Sequence, residues 1–234
     1  LATKYDVAGN LNDLVVRRNV ASNLCLPSGA GCNQTFHYAW DEVGRLVRAQ
    51  RWDVVDSNKP IGEVPSSEVV SDLAYTYDAS DNRVLKDASA REGASGIVHR
   101  YGVYISGGQE LRGAKFDAVY GTGGVADYQL DSTTEVAYLF AHGVRLARVA
   151  YDNGSVDGFM PKLSPIGSQQ HVLINLDDTL GSTALVVDKD TGELVESTTY
   201  LATGATESDY RPSRWQGLRE DYRFTGKEED VEAG

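Results

Sequence analysis

Tyr5-Asp6-Val7-Ala8-Gly9-Asn10-Leu11 recurs as Trp40-Asp41-Glu42-Val43-Gly44-Arg45-Leu46, and again as Tyr77-Asp78-Ala79-Ser80-Asp81-Asn82-Arg83-Val84. Each copy reads aromatic, Asp, short spacer, turn residue, polar residue, apolar residue, with Asp81-Asn82 standing in the third copy where the others have glycine. The pattern predicts a strand, a tight turn and a returning strand. Segments such as Thr35 to Trp40 and Leu73 to Tyr77 suit a pleated surface, where successive side chains point to opposite faces. The aromatic closes the incoming strand. Asp accepts a hydrogen bond from backbone two residues on, and Gly takes positive φ without steric cost, so together they reverse the chain. Asp and Asn tolerate that left-handed position better than most residues, so the third hairpin is expected as a variant of the other two.

The three Asp residues lie 35 and 37 positions apart. A period in this range belongs to stacked supersecondary units, none of which buries its apolar face without a neighbour. Looser matches at Phe116-Asp117, Tyr151-Asp152-Asn153-Gly154 and Asp188 extend the series at similar intervals.

These residues resemble the Rhs or YD-repeat family, named for the Tyr-Asp motif. The resemblance runs over nearly the whole chain and strengthens from His171 onward. There Leu180-Gly181-Ser182-Thr183, within Asp178 to Thr183, and the segment Leu185 to Glu196 are similar to the family's core-associated text. Thr179 stands where the family commonly has His. Phe224-Thr225-Gly226-Lys227-Glu228, within Tyr222 to Asp230, is similar to the signature preceding the family's end region. In relatives that end region holds an Asp-Pro motif at which the protein cuts itself, releasing a variable toxic domain. No Asp-Pro dipeptide occurs in these 234 residues.

What the resemblance implies is an all-β fold: YD-repeat hairpins forming part of a spiral β-sheet shell. One segment, 1–234, is expected, with hairpins over about 1–170 and the start of the core-associated region over about 171–234. The implied job is to enclose and help deliver a C-terminal toxin. The implied partners are the rest of the parent chain, an enclosed toxin domain and a B-type shell partner of a bacterial toxin complex. The resemblance also implies a secreted or surface-delivered bacterial protein. Relatives in animals act in adhesion, so an adhesion or carbohydrate-binding module is the rival reading, and an autoproteolytic core lacking its catalytic segment is a third.

The chain begins Leu-Ala-Thr and ends inside a recognised motif, as a piece of a longer protein would. No apolar run approaches the ~20 residues of a membrane helix. Thirty-four acids against 22 bases give a charge of −12, which argues against a nucleic-acid surface. The same charge serves solubility, or an acidic lumen favouring a basic cargo. Stretches around Gly107-Gly108 and Gly121-Thr122-Gly123-Gly124 read as hairpin turns, and Asp56 to Ser67 and Asp152 to Ser168 as surface loops. Cys25 and Cys32 flank Leu-Pro-Ser-Gly-Ala-Gly, a spacing open to a small disulfide loop or to two free thiols.

No catalytic, cofactor or metal site is expected. His37, His99, His142 and His171 each sit in strand-like sequence without metal-ligand spacing, and read as hydrogen-bonded residues on a sheet face. Ser182 lacks a nucleophile-elbow context, and Gly121 to Gly124 lacks the Lys-Ser/Thr of a phosphate loop. Asp177-Asp178, Glu220-Asp221 and Glu228-Glu229-Asp230 read as solvated acid runs. Tyr dominates the aromatics, with 13 against 3 Trp and 5 Phe. It can line a sugar-binding surface, but at Tyr5, Trp40 and Tyr77 packing between repeats is the favoured role.

Overall fold

The structure, a computed structural model, describes residues 1–17, 33–91, 97–105, 108–114, 116–120, 125–128, 134–142, 144–152, 170–213, 215 and 219–230. Cys25, Cys32, Gly107, Gly121 to Gly124 and nearly all of the expected 152–168 loop lie outside them. The strands are β1 (Ala2–Tyr5), β2 (Leu11–Arg17), β3 (Asn33–Trp40), β4 (Leu46–Trp52), β5 (Ser71–Tyr77), β6 (Arg83–Arg91), β7 (Ile97–Ile105) and β8 (Gln109–Ala114). They continue as β9 (Phe116–Tyr120), β10 (Val125–Tyr128), β11 (Thr134–Ala141), β12 (Val144–Asp152), β13 (Gln170–Asp177), β14 (Thr183–Asp188), β15 (Leu194–Tyr200) and β16 (Thr206–Tyr210). Fourteen follow in one sheet in chain order, β8 pairing directly with β11, while β9 and β10 form a separate two-stranded ribbon. Contacts divide the chain into two compact units, Leu1–Arg100 with Asp230–Gly234, and Tyr101–Glu229.

Within each unit, alternation sets the buried face. Ser71, Leu73 and Tyr75 of β5 are buried while Ala74 and Thr76 are exposed; His171, Leu173 and Asn175 of β13 are buried while Ile174 and Leu176 are exposed. The first unit gathers Ala49, Leu73, Tyr75 and Ala88, with Tyr38, Leu46 and Tyr77 packed against them. The second gathers Ala150, Leu173, Val186, Val195 and Trp215. Residues 53–70 form turns and bends between β4 and β5, tied back where Trp52 Nε1 donates to the Ser67 carbonyl and Thr35 Oγ1 to the Val54 carbonyl.

At each of the three motif copies the chain reverses through the same bonds. The Asp N–H donates to the carbonyl four residues on (Asp6 to Asn10, Asp41 to Arg45, Asp78 to Asn82, each 2.9 Å), and the residue at position three donates back to the Asp carbonyl. That third residue has positive φ: 90° at Gly9, 83° at Gly44 and 64° at Asp81. This is a type I turn closed by a left-handed residue, which adds a bulge to the hairpin. The register shifts at the motif aromatic in each case, at Lys4/Tyr5, Ala39/Trp40 and Thr76/Tyr77. The Asp carboxylate holds the turn from inside, Oδ1 of Asp6 accepting from the N–H of Ala8 and of Asn10, both at 2.8 Å. Such bonds pull the carboxyls of Asp6, Asp41 and Asp78 below the ordinary range, the largest pull coming from the Asn10 side chain, the Arg45 backbone and the Asn82 backbone respectively.

Among the described residues the same turn recurs three more times. Asp178 N–H donates to Ser182 O and Gly181 N–H to Asp178 O, with Asp177 in the aromatic position. Leu201 and Ala205, with Gly204, repeat the pattern after Tyr200; Arg223 and Lys227, with Gly226, repeat it after Tyr222. Phe116-Asp117, by contrast, lies inside β9, where pairing with β10 leaves no reversal at the dipeptide. Asp188 opens a turn one residue longer, closed on Glu193.

Successive hairpins are joined through the aromatic. Trp40 Nε1 donates to the Leu11 carbonyl at 2.9 Å, Tyr77 OH to the Leu46 carbonyl at 2.7 Å and Tyr200 OH to the Thr183 carbonyl at 3.1 Å. In all three the acceptor is the residue that reopens the strand after the preceding turn. Arg45 adds a second tie, its guanidinium 4.9 Å from the Tyr77 ring centroid and Nη1 2.5 Å from Asp81.

Tyr77→Phe removes a donor and orphans a part-buried carbonyl, so urea unfolding should show a loss of about 1–2 kcal/mol. Asp41→Ala, which deletes the turn's internal acceptor, and Gly44→Val, which forces a β-branched residue to positive φ, should each cost about 1–3 kcal/mol. Unchanged melting of these variants would show that neither the turn nor its link stabilises the fold.

Candidate functional site: a strap sealed onto a sheet face

After the exposed strand β16, Trp215 and residues 219–229 lie outside the sheet ladder and pack on one face of the second unit. Trp215 begins the crossing. It is 1% exposed, seated on Ala150, Leu173, Val186 and Val195, and meets the His171 ring edge-on with centroids 5.4 Å apart. Its Nε1 donates to Glu193 at 3.3 Å.

Glu220 follows, fully buried. One carboxylate oxygen accepts from Arg148 and, at 2.9 Å, from Asn175 Nδ2. The other accepts from Tyr138 OH at 3.3 Å and the Tyr222 N–H at 3.1 Å, with Arg112 Nη2 at 3.8 Å. Burial alone would raise this carboxyl, but Arg148 and Arg112, helped by the Asn175 and Tyr222 donors, outweigh it and hold Glu220 at about 2. Tyr222 donates to Glu110 and packs edge-on against Tyr138, while Arg145 stacks 4.0 Å from the Tyr222 ring centroid. Burial raises Glu110, against the pull of Arg112 and Tyr222. The two glutamates are thus driven in opposite directions within one cluster.

Arg223 provides the opposite charge. It is 3% exposed and pairs with Glu196 at 3.0 Å, Asp209 at 3.3 Å and Glu229 at 3.1 Å. Glu196 also accepts from the Glu220 N–H at 2.9 Å, so the two anchors share a partner. In the strap an acid meets sheet bases and a base meets sheet acids. Each charge taken out of water is matched, without which its burial would cost several kcal/mol.

The structure gathers here most of the residues that resemble the core-associated signature, from Gly181 to Thr183 and from Phe224 to Gly226. Thr183 Oγ1 donates to the Tyr222 carbonyl at 3.0 Å and its N–H to the Arg223 carbonyl at 3.3 Å; the Thr225 N–H donates to Ser182 Oγ at 3.1 Å. A Cβ on Gly226 would lie 3.3 Å from the Gly181 carbonyl, and one on Gly204 2.8 Å from the Phe224 ring, which packs on Tyr200. The turn of β13–β14 thus meets the turn of the strap. Glu228 accepts from Tyr104 OH at 2.7 Å, whereas Lys227 is exposed and Leu180 is 65% exposed. In the first unit Asp230 accepts from Tyr75 OH at 2.6 Å and lies 3.3 Å from Lys86 Nζ and 4.0 Å from Arg83, whose guanidinium sits over Tyr75.

Glu220 and Asp230 depart from the solvated reading of the acid runs, because arginine, lysine and tyrosine on sheet strands far off in sequence meet them. Of the histidines, His37 lies 2.8 Å from Asp13, His99 3.5 Å from Asp87 and His171 against Trp215. His142 occupies the β11–β12 turn with φ 51°. Among the described residues no three His, Cys, Asp or Glu gather to hold a metal ion, and no helix is long and apolar enough to cross a membrane. Glu220 is met by Arg112 of β8, Tyr138 of β11, Arg148 of β12 and Asn175 of β13, an arrangement that holds this segment against the sheet.

No family model and no curated protein matches this sequence. Among solved structures, the fold defines a β-hairpin array like that in the crystal structure of TcdB2-TccC3, with TM-score 0.58 and 16% identity over 99% of this chain and 11% of that one. TcdB2-TccC3 without its hypervariable C-terminal region, and TcdB2-TccC3-Cdc42, each match at TM-score 0.57 and 16% identity, with the same coverage. The chain therefore spans about a ninth of the length of the structures it resembles, and the likeness is one of fold.

Glu220→Gln should lower stability by about 3–5 kcal/mol, because it leaves Arg148 and Arg112 facing a neutral amide. The pH dependence has a definite sign. Glu220 titrates lower in the fold than its ordinary 4.5, so its contribution is complete above about 4.5 and fades as pH falls toward about 2. Denaturant midpoints of wild type and Glu220→Gln should converge across that interval; a constant gap down to its lower end would exclude Glu220 as the titrating group.

Proposed function

We propose that this chain is a non-enzymatic wall segment of a β-sheet shell that encloses a C-terminal toxin and helps deliver it. The observation that carries this reading is the linkage of hairpin to hairpin. Hairpins that close through one shared turn are tied at Trp40, Tyr77 and Tyr200 to the carbonyl that reopens an earlier strand, so a wall can be extended by repetition. The TcdB2-TccC3 likeness over nearly all of this chain supports it, and one of those structures is of TcdB2-TccC3 lacking a hypervariable C-terminal region. The Rhs resemblance drawn from the sequence adds the toxin cargo, a B-type shell partner and a bacterial, secreted or surface-delivered setting. Asp and Gly set the turns, Tyr and Trp lock the repeats, and the strap closes one face.

The carbohydrate-binding alternative calls for solvent-facing aromatics with spare polar tips. At two of the three motif copies those tips are engaged: Trp40 Nε1 and Tyr77 OH both donate to backbone carbonyls. Tyr5, 57% exposed, is the motif aromatic that remains open to such a role. Self-cleavage, the third reading, calls for an Asp-Pro motif, and these 234 residues contain none.

Expressing the full-length parent and following its intact mass over time tests the wall reading. Release of a C-terminal piece that stays associated is the expected result. A parent that remains uncut and holds nothing would overturn it in favour of a surface-binding module.

A further inference from the structure

The strap is chemically unlike the sheet it crosses. Strands are joined by backbone ladders, whereas Trp215 and residues 219–229 dock through side chains and through one turn laid against another; the β-bridge from Tyr222 to Glu228 is internal to the strap. The anchors are Trp215, Glu220, Tyr222, Arg223 and Phe224. Trp, Tyr and Arg in desolvated pockets are the residues that carry the energy of separable protein–protein interfaces. The receiving surface is equally specific: Arg148, Arg112 and Asn175 for the acid, Glu110 for the tyrosine hydroxyl, Glu196 and Asp209 for the guanidinium. Beyond these, Ser182 and Thr183 offer hydrogen bonds to the backbone of a turn that is itself a repeat turn. Reversing the segment would set Glu220 against Glu196 and Arg223 against Arg148, so direction and register are both encoded.

We propose that this face of the second unit is a peptide-docking site for the chain's own strap, held by Trp215 and residues 219–229 and selective for its acid-x-Tyr-Arg-Phe core, and that it keeps the strap bound when the backbone between β16 and Trp215 is broken. Whatever lies C-terminal to the strap then stays attached to the sheet without a covalent link. The inference stands on the contacts of the second unit and holds whatever the chain encloses.

The test inserts a protease recognition sequence after Tyr210 in the full chain, cuts it, and follows the product by size-exclusion chromatography, intact mass and circular dichroism. The piece beginning at Arg211 should co-elute with the sheet, with the strand signal intact. A synthetic peptide of residues 211–229 should exchange into the cut complex, and one carrying Glu220→Lys and Arg223→Glu should compete at least about 30-fold more weakly, since each change opposes a buried charge pair. Elution of the piece alone at micromolar concentration would overturn the proposal. So would equal competition by the charge-reversed peptide, or collapse of the strand signal on cutting, which would make the strap an inseparable part of the core.

Discussion

The hydrogen bond from a motif aromatic to the carbonyl that reopens the preceding strand is the constraint on which the array depends. A hairpin turn satisfies its own backbone and has no reason to prefer one neighbour over another. The ring of Trp40 or Tyr77 supplies that reason, filling space beside the previous turn while its polar tip finds a single acceptor. This explains why Tyr and Trp, and not Phe, occupy these positions: an apolar ring would pack but leave the carbonyl wanting. It also explains why Arg45 can bridge to Asp81, since the lock brings the two turns level.

The strap uses different physics. Its face of the sheet is not apolar throughout, and a run of arginines and glutamates on strands would ordinarily remain wet. Glu220 and Arg223 make burial tolerable by supplying the missing charges in the right order, with Glu196 serving both. Such a surface gains little over an apolar one in stability but much in selectivity, because a shifted or inverted segment would bury charges without partners. Arg223 is instructive. It occupies the turn position that Asp fills at Asp6, Asp41 and Asp78; the turn keeps its two backbone bonds, Ser182 Oγ accepts the Thr225 N–H that the Asp carboxylate accepts elsewhere, and the arginine side chain is redirected into the sheet.

How much of this was legible in the sequence follows from the range of the forces involved. The three Asp turns were readable because Asp, spacer and left-handed residue lie within five positions and act locally. Tyr200 to Gly204 and Tyr222 to Gly226 carry the same aromatic-to-glycine spacing, and a search on that spacing, without requiring Asp, would have found them. The strap was not readable. Glu220-Asp221 looks like any acidic pair until β8, β12 and β13 bring Arg112, Arg148 and Asn175 to it from distant parts of the chain, and no local pattern encodes that meeting. Phe116-Asp117 failed as a repeat for the converse reason: it has the dipeptide without a left-handed residue at the required distance.

The links between hairpins also have a direction. In each, the donor sits on the later hairpin and the acceptor on the earlier: Trp40 to Leu11, Tyr77 to Leu46, Tyr200 to Thr183. An earlier hairpin presents its carbonyl as soon as its turn has closed, and the ring that captures it arrives only with the next stretch of chain. Assembly can therefore advance like a zipper in the order of synthesis, each finished hairpin templating its successor through contacts a few tens of residues apart. Along the ladder, a polypeptide emerging slowly from a ribosome would hold about one unfinished repeat at a time, while the side chains that Glu220 and Asp230 later meet wait for the end of the chain.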